Sequence, residues 1–168
     1  MNTKLTHKNL LIIEDEIALR ELFTSELEKK HPNLKCFQAG TIAQAEEIFN
    51  ANSIDLILSD LKLPDKDGLV FLENIRNKDS YIPFIFMTGF ADKDMAIKAL
   101  RLGAYDIIEK PMSIETLNNT ITNALKYLNN YHEIQNNLLA QSKNLNSYVL
   151  PLKAIEYSFD NYHKITPN

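Results

Sequence analysis

The chain has 168 residues and a formal net charge of −4, with 45% hydrophobic and 24% charged residues. That balance suits one soluble domain with a short appendage and excludes a wholly disordered, collagen-like or disulfide-stapled chain. One cysteine, Cys36, can form no internal disulfide, so a reducing compartment is expected. The longest apolar runs, Leu10–Ile13 and Tyr81–Met87, fall far short of the roughly 20 residues of a membrane span. The polar start, residues 1–9, lacks the core of a signal peptide, so a cytoplasmic chain without membrane contact is expected. Residues 1–126 carry 15 Lys and Arg against 19 Asp and Glu, while 127–168 carry three of each sign. With no basic patch, direct nucleic-acid binding by this chain is not expected.

In chain order, short apolar runs alternate with amphipathic stretches. The first strand is Leu10–Ile13, followed by a helix over Ile17–Lys30 that places Leu19, Leu22, Phe23 and Leu27 on one face. A second strand at Leu34–Phe37 leads to a helix over Ile42–Asn50, with Thr41 at its N-cap and Gln44 at capping-box spacing. Strands at Leu56–Leu58, Phe84–Met87 and Tyr105–Ile108 enclose helices over Leu69–Asn77 and Lys93–Leu102. Five alternations predict an α/β domain, residues 1–126, with a parallel sheet covered by helices on both faces.

The last helix starts at a Ser113 N-cap, with Thr116 three residues on. Its apolar positions, Leu117, Ile121, Ala124, Leu128, Tyr131, Ile134 and Leu138, continue at nearly the 3.5-residue spacing of a coiled-coil seam. Pro151 is the first clear stop. Residues 127–168 therefore read as a helical, coiled-coil-like extension and short tail, which resemble no output domain.

In a doubly wound sheet, ligands lie beyond the carboxyl ends of the strands. There the first strand meets Glu14, Asp15 and Glu16, the third Ser59 and Asp60, the fourth Thr88 and Gly89, and the fifth Glu109, Lys110 and Pro111. Clustered carboxylates repel one another, and a hard divalent cation compensates them. Such a cation, the Lys110 ammonium and the Thr88 hydroxyl around Asp60 make a site for a phosphoryl group, with Asp60 attacking phosphorus. Glu16, Asp65 and Asp67 read as solvated loop acids, Glu16 at the start of the first helix. The histidines at 7, 31, 132 and 163 show no metal-ligand spacing, and His132 reads as a surface residue. Cys36 reads as a small buried hydrophobe. A haloacid-dehalogenase-type phosphatase would need Asp-x-Asp after the first strand, where this chain has adjacent acids.

Four stretches carry a family resemblance: Leu-Leu-Ile-Ile-Glu-Asp-Glu at 10–16, Leu-Ser-Asp-Leu-Lys-Leu-Pro-Asp-Lys-Asp-Gly at 58–68, Phe-Met-Thr-Gly at 86–89, and Gly-Ala-Tyr-Asp-Ile-Ile-Glu-Lys-Pro at 103–111. In this order and spacing the chain resembles the receiver domain of two-component response regulators, with wording similar to receivers of nitrogen-regulator type. The resemblance implies a flavodoxin-like (βα)5 fold. It also implies a signalling switch, not an enzyme with an independent substrate, phosphorylated on Asp60 by a sensor histidine kinase or phosphotransfer protein. By the same resemblance Mg²⁺ is held by Glu14, Asp15, Asp60 and the Lys62 backbone carbonyl, with Glu14 acting through water. Thr88 and Lys110 contact the phosphoryl oxygens. Pro64 and Gly68 shape the loop after Asp60, and the bond before Pro111 is cis. A homodimer through the fourth-helix/fifth-helix face and the extension, with an unknown downstream protein, is expected. The alternative is the N-terminal regulatory fragment of a larger DNA-binding transcription regulator. Where the family often has an aromatic ring, three residues before the lysine, this chain has Ile107. Lys62 and Phe90 flank the water path and are poorly suited to orient it, so a long-lived aspartyl phosphate is expected.

Overall fold

The computed structural model describes residues 7–78, 81–89 and 93–144. Its elements alternate as β1 (Lys8–Ile13), α1 (Ile17–Lys30), β2 (Leu34–Ala39), α2 (Ile42–Ala51), β3 (Leu56–Asp60), α3 (Gly68–Arg76), β4 (Phe84–Thr88), α4 (Lys93–Arg101), β5 (Asp106–Glu109) and α5 (Ile114–Asn144). The strands form one parallel sheet in the order β2-β1-β3-β4-β5, the flavodoxin-like arrangement. Strand order reverses at β1, so the carboxyl ends of β1 and β3 flank the crevice where such folds bind ligands.

The three central strands are nearly continuous apolar runs because both of their faces are covered. One cluster includes Leu11, Ile13, Ile57, Phe71, Phe84 and Phe86, and the other includes Leu10, Ile12, Phe23, Leu58, Ile85 and Ile121. The edge strands β2 and β5 are only partly buried, as strands with one neighbour must be. On α1, Phe23 and Leu27 are buried and Leu19 packs beside them, but Leu22 is 44% exposed. Residues 19, 23 and 27 step by four and stay in line, whereas Leu22 lies about 100° round the helix from Phe23.

Helix starts follow local chemistry. Thr41 Oγ1 accepts from the Gln44 amide at 3.2 Å, and Gln44 Oε1 accepts from the Gly40 amide at 2.8 Å. Ser113 Oγ accepts from the Thr116 amide at 3.0 Å, as its N-cap position predicts. Glu16 occupies the N-cap of α1, but its side chain makes no capping bond. Helix α4 closes with Gly103 at φ 87°, and the Ala104 amide bonds the Ala99 carbonyl at 3.0 Å, a Schellman-type stop that needs glycine.

The chain separates into two compact units, Met1–Leu128 and Asn129–Asn168. In the first unit the stripe Leu117, Ile121, Ala124 and Leu128 is buried in the sheet's own core. The first half of the anticipated seam is therefore already used, since a helix packing on a sheet shows the same stripe as one in a coiled coil. In the second unit Tyr131 and Leu138 are partly buried and Ile134 is 50% exposed. The tail beyond 144, including Pro151 and His163, lies outside the described residues, as does Phe90. Among the described residues no helix is long and apolar enough to cross a membrane.

Candidate functional site

Three carboxylates meet at the sheet's switch point. Glu14 and Asp15 follow β1 directly, Asp60 ends β3, and one oxygen from each lies within 4.8 Å of the others. The parallel pairing Ile13↔Ser59 fixes this proximity, because Glu14 directly follows Ile13, Asp60 directly follows Ser59, and Asp15 is the next residue after Glu14. Lys110, just after β5, reaches across β4 and places its ammonium 2.7 Å from Glu14 Oε2 and 2.6 Å from Asp60 Oδ2. Its own amide donates to the Thr88 carbonyl at 2.7 Å, which seats it beside the end of β4. The Lys110–Pro111 bond is cis.

Glu14 is only 2% exposed. Burial raises its pKa above the ordinary carboxylate value; the Lys110 bond and charge offset part of this, and the Asp60 charge adds to it. For Lys110, burial works against the ammonium, but the bonds and charges of Asp60 and Glu14 prevail and lift its pKa above an ordinary lysine's. The Arg20 guanidinium donates to the Glu14 carbonyl, and the Glu16 amide donates to Glu14 Oε1 at 3.3 Å, so the β1–α1 turn is braced from within.

The β3–α3 loop completes the rim. The Lys62 amide donates to Asp60 Oδ1 at 3.1 Å, and the Lys62 side chain is exposed. Gly68 opens α3 so close to the Asp60 carbonyl that a Cβ there would stand 2.8 Å from its oxygen. Thr88 is 5% exposed and donates its hydroxyl to the Gly89 carbonyl at 3.3 Å. Ile107 pairs with Phe86 and packs on the cluster containing that ring. Tyr105 packs instead on the opposite cluster, its ring 5.4 Å from that of Tyr127, because β5 begins only at Asp106 and strict alternation does not extend back to it.

Two acids assigned to solvent have partners. Asp67 Oδ1 accepts from the Leu69 amide at 2.9 Å and caps α3, a role that its place before Gly68–Leu69 could have signalled. Asp65 accepts from the Ile42 and Ala43 amides, both at 3.0 Å; no local pattern reveals a partner 22 or 23 residues away. Arg20 carries no local signal either. His132 is exposed, as a surface residue should be. Burial first, and the Glu28 charge second, push the Cys36 thiol up to about 12.

Oxygen-only donors with surplus negative charge fit a hard divalent cation such as Mg²⁺, which is content with two or three protein oxygens and keeps waters for the rest. A family model described as the response regulator receiver domain matches residues 10–122. The chain belongs to that family. It is 30% identical over 141 residues to the response regulator protein PilR of Pseudomonas aeruginosa, an alignment covering 82% of this chain and 31% of that protein. The receiver domain of a LuxO repressor protein from Vibrio parahaemolyticus superposes with a TM-score of 0.71 at 27% identity, covering 76% of this chain and 97% of that one. A receiver domain protein from Clostridium thermocellum gives a TM-score of 0.66 at 30% identity, covering 71% and 95%. The chain thus spans about a third of the length of PilR and nearly all of the isolated receiver structures.

Proposed function

We propose that Asp60 is the phosphoacceptor of a two-component switch, charged by a sensor histidine kinase or a phosphotransfer protein. The observation that supports this most is the Lys110 ammonium shared between Asp60 and Glu14 at the reversal of strand order. A carboxylate oxygen of Asp60 attacks phosphorus; the bond to the donor's imidazole nitrogen breaks, and an acyl phosphate forms. The same attack on acetyl phosphate releases acetate. Glu14, Asp15, Asp60 and the Lys62 backbone carbonyl would hold Mg²⁺, which when bound supplies positive charge to the phosphoryl oxygens. Lys110 remains charged through the reaction, since its raised pKa keeps the proton on Nζ, and it neutralises a second oxygen. Thr88, one residue beyond Met87 on β4, supplies a hydroxyl to a third.

In this reading the chain catalyses only its own phosphorylation and dephosphorylation, works in the cytoplasm beside its kinase, and passes the signal to a partner protein or to a second copy. The exposed Ile97 and Leu100 on α4, and the extension 127–168, are the proposed dimer elements. Sedimentation of the chain cut after Leu128 against the full chain, each with and without beryllofluoride, tests them; equal self-association would remove the extension from the dimer. A second reading makes this chain the regulatory part of a larger DNA-binding regulator, favoured by its covering only 31% of PilR. Labelling by acetyl phosphate in Mg²⁺ tests the main reading. The wild type should be labelled and Asp60→Asn should not.

A further inference from the structure

Asp65 lies exposed in the β3–α3 loop, yet both of its carboxylate oxygens are bonded to a distant segment. Oδ1 accepts from the Ile42 amide and Oδ2 from the Ala43 amide, each at 3.0 Å. These are the first two amides of α2, which have no partner inside the helix. Thr41 already serves the third, at Gln44, so α2 has a local cap and does not need a distant one merely to begin. What the distant carboxylate adds is a tie between two segments. The adjacent Lys66 repeats that tie, its ammonium 3.7 Å from Glu46 on α2.

The tied loop is a compact unit. Lys62 and Asp67 form a bridge, the Gly68 amide bonds the Leu61 carbonyl at 3.0 Å, and Asp67 caps α3. At its inner end the Lys62 amide meets Asp60 Oδ1 at 3.1 Å. A loop held at Leu61 by the sheet and at Asp65 by α2 leaves the intervening residues, Lys62 to Pro64, little freedom. We propose that Asp65 is a positioning residue for phosphoryl transfer, clamping this loop to the first turn of α2 and so holding the Lys62 backbone carbonyl where the metal ion is taken up. This rests on the reading of Asp60 as the phosphoacceptor beside a Mg²⁺ site. Burial is the largest single influence and disfavours the charged carboxyl, but the amides of Ile42, Ala43, Asp65 and Lys66 together outweigh it and hold its pKa below the ordinary range, as a clamp made of charge-assisted bonds should.

The test uses the full chain with Asp65→Ala, Asp65→Asn and Thr41→Ala. Mg²⁺ affinity is measured by calorimetry, and amide hydrogen exchange is measured on the metal-free protein. Residues that orient metal ligands from behind typically matter by 10–100-fold, so Asp65→Ala should weaken Mg²⁺ binding about tenfold and speed exchange at Lys62. Asp65→Asn keeps one accepting oxygen of two and should fall between, which preserves the test if the alanine variant folds poorly. Thr41→Ala removes a cap from the same helix end without freeing the loop, and should leave Mg²⁺ affinity within about twofold. Equal losses in Thr41→Ala and Asp65→Ala would mean general loosening and overturn the proposal. Unchanged affinity in Asp65→Ala, with Ile42 and Ala43 exchanging faster, would overturn it as well. A wild type that takes up no Mg²⁺ would instead overturn the phosphoryl-site reading beneath it.

Discussion

Gly68→Ala adds one methyl group at the junction of the Asp60 strand and α3. The new Cβ would stand 2.8 Å from the Asp60 carbonyl oxygen, 2.9 Å from the Phe86 ring edge and 3.3 Å from the Leu61 carbonyl oxygen. None of these can retreat. Asp60 is paired with Met87, the Leu61 amide bonds the Met87 carbonyl at 2.9 Å, and Phe86 is fully buried with its ring 4.6 Å from that of Phe84. The first turn of α3 must therefore move outward and draw the loop with it. Overpacking of this kind costs about 1–3 kcal/mol. In open space the same change would stabilise a helix by about 0.8–1.0 kcal/mol, so the sign of the effect separates clash from propensity. Offsetting one against the other leaves a net loss of up to about 2 kcal/mol, which should lower Tm by up to about 8 °C in a circular dichroism melt. Labelling by acetyl phosphate should slow as well, since the Lys62 amide is pulled from Asp60. An alanine variant with unchanged or higher Tm and full labelling rate would refute the reasoning.

Lys110→Ala removes the cation that competes for Glu14 and Asp60. It should tighten Mg²⁺ binding in a calorimetric titration while slowing phosphorylation, and weaker Mg²⁺ binding would show that Lys110 organises the acids instead. Cys36, held at about 12 by burial, should react with iodoacetamide at pH 8 at least about 100-fold more slowly in the native chain than in urea; comparable rates would mean the thiol is open. Asp65 has a folded pKa below its ordinary 3.8, so its contribution to stability is present above that value and is lost as pH falls through the folded pKa. The stability gap between wild type and Asp65→Asn in urea melts should accordingly be larger at pH 5.5 than at pH 3, and a gap that grows toward pH 3 would contradict the assignment.

How far the sequence foretells this arrangement depends on where each residue finds its partner. Helix α1 matches its anticipated bounds, Ile17–Lys30, because both its pattern and its ends are local. The central strands run past their apolar letters into Asp60 and Thr88, since a strand that carries functional polar groups at its end looks shorter than it is. The acids, Thr88 and Lys110 were legible because a parallel sheet brings all carboxyl ends to one rim. Asp65 and Arg20 were not, since their partners are set by the tertiary fold and not by spacing. The stripe on α5 was legible as apolar, but periodicity names no partner, and its first four positions turned out to face the sheet.

Asp60 alone among the clustered carboxylates is expected to carry the phosphoryl group. Treating the protein with acetyl phosphate and Mg²⁺, then with borohydride, reduces an aspartyl phosphate to homoserine and marks the site permanently for peptide mapping. The account predicts homoserine at position 60 and at no other acid of the cluster. Homoserine at position 15, or a phosphoryl group that resists both borohydride and hydroxylamine, would contradict it.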